Sequence, residues 1–312
     1  MILNYDHYHA SRKKGLGKRI VAVVVGLLVC AAIVAAFAFR LPQRLLPASG
    51  ARAGLGKLPE LWKDSRYDDV ISVSDAVLRN DPLNPSALTY RGFASFYKAT
   101  SQTSADRSPI LDDAVLFLRR AELVGSPMAR ETDYVLAKAY FFKGKFYYDL
   151  AVSYMNRAIS RGYVQNDSYE LLGTAYTQLG DYDKGIACFL KALDAQQSDI
   201  LLLTIGQTYY QMKQTGEAVD YLLRTLNKTE DKAIEEKARL LLGEIYLDRN
   251  ELFKAEEQYS ALTQLDPQSA DAHFFLGEVY AKMNDPVKAR SEWRAAFQID
   301  PTHYGAKLRL FK

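Results

Sequence analysis

Residues 242–301 read LGEIYLDRNELFKAEEQYSALTQLDPQSADAHFFLGEVYAKMNDPVKARSEWRAAFQIDP, and this stretch repeats itself once. Leu242-Gly243-x-x-Tyr246 returns as Leu276-Gly277-x-x-Tyr280, Ala255-x-x-x-Tyr259 as Ala289-x-x-x-Trp293, and Asp266-Pro267 as Asp300-Pro301. The spacing within each half is helical: small and large residues recur three and four positions apart, on one face. Small residues such as Gly243, Gly277, Ala255 and Ala289 let two helices approach closely, and the large Tyr246, Tyr280, Tyr259 and Trp293 fill the space between neighbouring pairs. Proline cannot continue a helix but readily begins one, so each Asp-Pro closes one unit. The stretch therefore predicts two successive helix–turn–helix units.

Upstream the same pattern recurs. Leu172-Gly173-x-x-Tyr176 with Phe189 and Ala192 makes a unit in which Gly185 replaces the usual alanine, and Ile205-Gly206-x-x-Tyr209 with Ala218 and Leu222 makes another. Leu136-Ala137-x-x-Tyr140 with Ala151, Met155 and Ala158 fits if its turn is lengthened. Phe93-Ala94-x-x-Tyr97 pairs with Ala114, Leu118 and Ala121 across a polar insertion at 100–109, and residues 58–82 look like a truncated first unit. This array resembles the tetratricopeptide repeat (TPR) family, whose unit is a helix–turn–helix of about 34 residues. The resemblance implies an all-α, right-handed superhelical solenoid over residues 58–312, of about six to seven repeats, because a single hairpin cannot bury its apolar face alone.

The N-terminus is different in kind. Residues 1–49 hold seven of the 40 Lys and Arg but one of the 37 Asp and Glu, leaving residues 50–312 with a net charge of −3. A nucleic-acid-binding reading of the main body thus has no electrostatic footprint. Residues 20–39 (IVAVVVGLLVCAAIVAAFAF) contain no charge, amide or hydroxyl. At about 1.5 Å per residue they match the roughly 30 Å of a bilayer core, which predicts one transmembrane helix. Five basic residues precede it and Arg40, Arg44 and Arg52 follow, so the positive-inside rule puts residues 1–19 in the cytoplasm. Ala36-Phe37-Ala38 has the form of a signal-peptidase site, but the length of the apolar run favours an uncleaved anchor over cleavage after Ala38. Residues 40–57, rich in Pro, Gly and Ala, read as a linker in which Pro42, Pro47, Gly50, Gly54 and Gly56 interrupt any helix. The expected organisation is a basic cytoplasmic tail (1–19), a transmembrane helix (20–39), a linker (40–57) and the repeat solenoid (58–312).

Nothing in the sequence converges on catalysis. His7 and His9 fall in the tail, His273 occupies a helix-packing position, His303 follows Asp300-Pro301, and Cys188 lies on the packing face of a second helix. Glu235-Glu236 and Glu256-Glu257 suit solvated helix faces. No enzyme activity, cofactor or metal site is expected.

The family resemblance implies that the first helix of each pair lines an inner groove that holds an extended peptide or a partner's helix. On that basis the groove residues are Tyr134, Lys138, Phe141, Glu170, Thr174, Gln178, Leu203, Gln207, Tyr210, Leu240, Glu244, Phe274 and Glu278. Members that grip the C-terminal carboxylate of cytosolic chaperones use a basic, asparagine-rich clamp, where this chain has Thr174, Gln207, Glu244 and Glu278. The expected function is a scaffold for protein partners, anchored in the bacterial cytoplasmic membrane with its repeats in the periplasm, where they recruit or organise envelope proteins. Similarly built systems serve outer-membrane biogenesis, secretion and pilus assembly, cytochrome maturation and the flagellar-motor collar of spirochaetes. The alternative is a membrane-bound receptor or chaperone adaptor that binds client peptides in the groove from the opposite side of the membrane. Self-association of the solenoid is a further possibility.

Overall fold

The structure is a computed structural model that describes residues 49–101 and 107–311. The expected tail (1–19), transmembrane helix (20–39) and first part of the linker lie outside the described residues, as do His7 and His9. Among the described residues no helix is long and apolar enough to cross a membrane.

Every regular element among the described residues is helical. In chain order the α-helices are α1 (Ser49–Lys63), α2 (Tyr67–Asn80), α3 (Pro85–Ser101), α4 (Arg107–Val124), α5 (Ala129–Lys143), α6 (Tyr148–Ser160), α7 (Ser168–Gln178), α8 (Tyr182–Ala195), α9 (Asp199–Gln211), α10 (Thr215–Lys228), α11 (Lys232–Asp248), α12 (Leu252–Leu265), α13 (Ala270–Lys282), α14 (Pro286–Ile299) and α15 (Tyr304–Phe311). Taken two at a time they make seven hairpins, with α15 following the last.

The described residues divide into two compact units, 49–101 with 116–127, and 107–115 with 128–311. In the first, Leu58, Val70 and Ala94 form a buried core. Trp62 packs its ring within 5.3–6.2 Å of Tyr67, Tyr90, Phe93 and Tyr97. The expectation of a linker through residue 57 and a truncated first unit does not hold here. Helix α1 begins at Ser49 and runs through Gly50, Gly54, Gly56 and Pro59, so the first unit is a full hairpin. Its glycines cost about 1 kcal/mol each as helix formers, but Leu55, Leu58, Leu61 and Trp62 pack onto this core, and that burial outweighs local propensity. Gly54 also lets α2 come close: a Cβ there would stand 3.1 Å from Val77.

In the second unit the hairpin turns share one geometry. After α7, α9, α11 and α13 a single residue takes positive φ: Gly180, Lys213, Asn250 and Asn284. The next residue's N–H then reaches back to a carbonyl in the last turn, Asp181 to Tyr176, Gln214 to Tyr209, Glu251 to Tyr246 and Asp285 to Tyr280, at 2.8–2.9 Å. This is the Schellman closure, which satisfies carbonyls the helix end would otherwise leave open. At the other end of the hairpins the Asp-Pro signal acts through its carboxylate as well as its proline. Asp266 Oδ1 accepts the N–H of Gln268 at 2.9 Å, and Asp300 Oδ1 accepts that of Thr302 at 2.8 Å. The turn between α5 and α6 is lengthened as expected, by a short 3₁₀ segment Lys145–Tyr147.

The large residues do more than fill gaps between pairs. Tyr259 lies on Gly243 and Trp293 on Gly277, inside their own hairpins; a Cβ on either glycine would come within 2.5–2.6 Å of the ring. Tyr259 also stacks on Phe275 of the next pair at 5.4 Å, so one ring serves both interfaces. The departure at Gly185 has a local cause: the Thr177 hydroxyl, bonded to the Gly173 carbonyl at 2.7 Å, occupies the space an alanine methyl would need.

Candidate protein-binding face

The thirteen residues expected to face the groove lie on the first helices of five hairpins, α5, α7, α9, α11 and α13. Within each helix they follow one another three or four positions apart, so they form one stripe per helix. Their exposure separates them. Tyr134 and Leu203 are buried, with 6% and 4% of their surface accessible, and present no side chain to a partner. Lys138, Phe141, Thr174, Gln207, Tyr210, Leu240, Phe274 and Glu278 are half-buried, and Glu170, Gln178 and Glu244 are exposed.

Hydrogen bonds tie the stripes of consecutive hairpins together. Asp167, at the start of α7, accepts from Tyr134 Oη at 2.6 Å and from Lys138 Nζ at 2.7 Å. Tyr210 Oη donates to Glu244 Oε1 at 2.8 Å. Arg309 of α15 grips Glu278 with two nitrogens, at 2.8 and 2.6 Å. Phe274 lies 4.8 Å from the His303 ring, and His303 Nε2 is 3.0 Å from Asp271 Oδ1. Polar groups that a partner would have to engage are thus already engaged between repeats. This leaves Phe141, Gln207 and Leu240, together with the exposed Glu170 and Gln178, as the side chains most open to a new contact.

The electrostatics follow from this packing. Burial, reinforced by the Glu244 carboxylate, pushes the Tyr210 phenol up to about 12, and burial with Glu256 does the same to Tyr280. Asp248 adds to the negative field at Tyr210. The α9–α11 part of the face is therefore acidic and keeps its tyrosines protonated.

Asp167, Asp271, His303 and Arg309 belong to this network and are missed by a stripe-by-stripe reading. Asp167 precedes α7, and the others lie at the ends of helices, where the repeat pattern is weakest. A search for acids about 30 residues after a groove tyrosine or lysine would have found Asp167.

Outside this face, His273 Nδ1 pairs with Glu292 Oε2 at 2.7 Å, and burial pushes the Cys188 thiol up, away from the thiolate. Among the described residues no group of three or more His, Cys, Asp or Glu could hold a metal ion.

The class of protein these observations define is a helical-hairpin repeat protein. Models of the tetratricopeptide repeat match residues 167–199 and 270–303, and a TPR repeat model matches 243–284. Residues 167–199 and 243–303 thus match TPR models, and the other hairpins share their paired-helix form. No curated protein sequence matches it. Among solved structures it is similar to the C-terminal part of a TPR repeat-containing protein from Cytophaga hutchinsonii, at 17% identity and TM-score 0.64, covering 83% of this chain and 99% of that one. It is also similar to YrrB, a TPR protein with an unusual peptide-binding site (22% identity, 62% and 96% covered, TM-score 0.48). MamA gives 24% identity, 59% and 94% covered, and TM-score 0.48. Repeats of this kind usually act as non-enzymatic scaffolds for protein–protein interaction.

Proposed function

We propose that this protein is a non-enzymatic scaffold, anchored in a bacterial cytoplasmic membrane by residues 20–39 with its repeats on the periplasmic side, that holds a segment of a partner envelope protein on its first-helix face. The observation that carries the reading is the rail of half-buried side chains on α5, α7, α9 and α11, cross-braced by the Tyr134–Asp167 and Tyr210–Glu244 bonds. A braced face loses little freedom when it binds, and aromatic and amide groups at its centre suit a peptide's backbone and side chains. The N-terminal apolar run and the excess of basic residues before it support the placement.

Crosslinking in native membranes followed by affinity recovery tests the face. The intact chain is compared with one carrying Phe141→Ala, Gln207→Ala and Leu240→Ala, three side chains whose loss leaves the bracing bonds in place. A defined set of partners lost in the triple variant supports the reading, and an unchanged set refutes the site. A reporter fused after residue 312 tests the topology separately: activity confined to the cytoplasm would overturn the periplasmic placement and favour a receptor facing the cytosol.

A further inference from the structure

Helix α14 carries Arg290, Arg294, Phe297 and Gln298, spaced so that all four share one face. With Leu310 and Phe311 of α15 they line an open cleft of about 250 Å³. Three observations set it apart. First, its charge is one-sided: the seven other arginines from Arg130 onward each pair with a carboxylate, whereas among the described residues Arg290 and Arg294 do not. Two like charges one helical turn apart repel each other, which an incoming anion would relieve. Secondly, the apolar part is open, since Phe311 is 70% exposed although its ring meets Phe297 edge-on at 5.4 Å. Thirdly, the preceding hairpin treats this stripe differently. On α12 the corresponding positions are Glu256 and Ser260, and Glu256 helps push up the Tyr280 phenol of α13.

We propose that the α14–α15 cleft is a second binding site, separate from the first-helix face, for a short acidic peptide segment of a partner protein that carries a large apolar side chain. Arg290 and Arg294 take its carboxylates, Gln298 offers an amide to its backbone, and the Phe297–Leu310–Phe311 wall takes the apolar group. Guanidinium groups suit carboxylates because two parallel N–H donors meet both oxygens. The wall supplies what exposed ion pairs alone lack, since surface charges in water bind weakly.

The test uses the full-length chain in detergent micelles and fluorescence anisotropy. The probes are a fluorescein-labelled peptide Glu-Asp-Leu-Phe-Glu-Asp and its neutral counterpart Gln-Asn-Leu-Phe-Gln-Asn. Saturable binding of the acidic peptide is expected, with the neutral one about tenfold weaker or more. Replacing both arginines (Arg290→Gln with Arg294→Gln) should weaken the acidic peptide to the neutral level, and Phe311→Ala should weaken it several-fold. Arg224→Gln, on α10, should leave it unchanged. All four residues are exposed, and an unaltered far-UV spectrum confirms that each variant is folded. Equal binding of the two peptides, indifference to the double arginine variant, or binding of phosphatidylglycerol vesicles without binding of the peptide would each overturn the proposal. Triple substitution of Phe141, Gln207 and Leu240 should not affect this site, so failure here and failure of the first-helix face are distinguishable.

Discussion

Replacing Gly243 by alanine tests the packing at the heart of the repeat. The new methyl would lie 2.6 Å from Tyr259 Cζ and 2.8 and 2.9 Å from its two Cε atoms, closer than carbon atoms approach without displacement. The ring cannot easily yield, because Tyr259 is 1% exposed and stacked on Phe275. Forcing an extra methyl into such a site costs about 1–3 kcal/mol. Against that, alanine is the better helix former by about 1 kcal/mol. The net expectation is a loss of about 0–2 kcal/mol, in place of the gain that propensity alone would give. The measurement is urea unfolding of the full chain followed by circular dichroism at 222 nm, comparing midpoints at unchanged slope. A matched control is Gly56→Ala in α1, where a Cβ meets nothing within 4 Å; there propensity acts alone and a gain of about 0.5–1 kcal/mol is expected. Shrinking the ring should relieve the clash, so Gly243→Ala combined with Tyr259→Leu should lose less than the sum of the two single changes. A Gly243→Ala variant stabilised as much as Gly56→Ala would refute the claim that Tyr259 needs a bare Cα beneath it.

Three further outcomes follow from the same structure. Lys213 holds φ 61° in the α9–α10 turn, so Lys213→Gly should raise stability by about 1 kcal/mol in the same unfolding assay. Asp133 is 1% exposed and meets Arg157 Nε at 2.8 Å and Arg161 Nη1 at 2.7 Å. Asp133→Asn should cost about 2 kcal/mol, below the range for a fully buried pair because both arginines reach water. Tyr210 and Tyr280 ionise near 12 in the folded chain, above the unfolded value of about 10. Their contribution is therefore fully present below pH 10 and is lost as pH rises from about 10 towards 12. Tyr210→Phe should flatten part of that alkaline loss in a pH series of urea midpoints, and an identical alkaline limb would argue against the Tyr210–Glu244 bond.

Helix-hairpin repeats were legible in the sequence because the signal is local and periodic: Gly, Ala, Tyr and Asp-Pro recur at spacings that only stacked helix pairs use. That Tyr259 and Trp293 also cover Gly243 and Gly277 inside their own hairpins was decided by the packing. What the pattern could not reveal is where propensity yields to packing. Gly50, Gly54, Gly56 and Pro59 argue for a break, yet α1 forms, because burying Leu58 and Trp62 is worth more than local helix preference. Likewise the stripe of thirteen residues is where helical geometry puts it, but which of them are spent bracing neighbours depends on contacts some 30 residues apart in the chain. Tyr134 meets Asp167, Tyr210 meets Glu244, and Glu278 meets Arg309 only once successive hairpins are stacked. Spacing along a helix is set by its own backbone, so the sequence determined the repeats; pairing across helices is set by how those helices pack, so the tertiary structure alone decided which side chains remain for a partner.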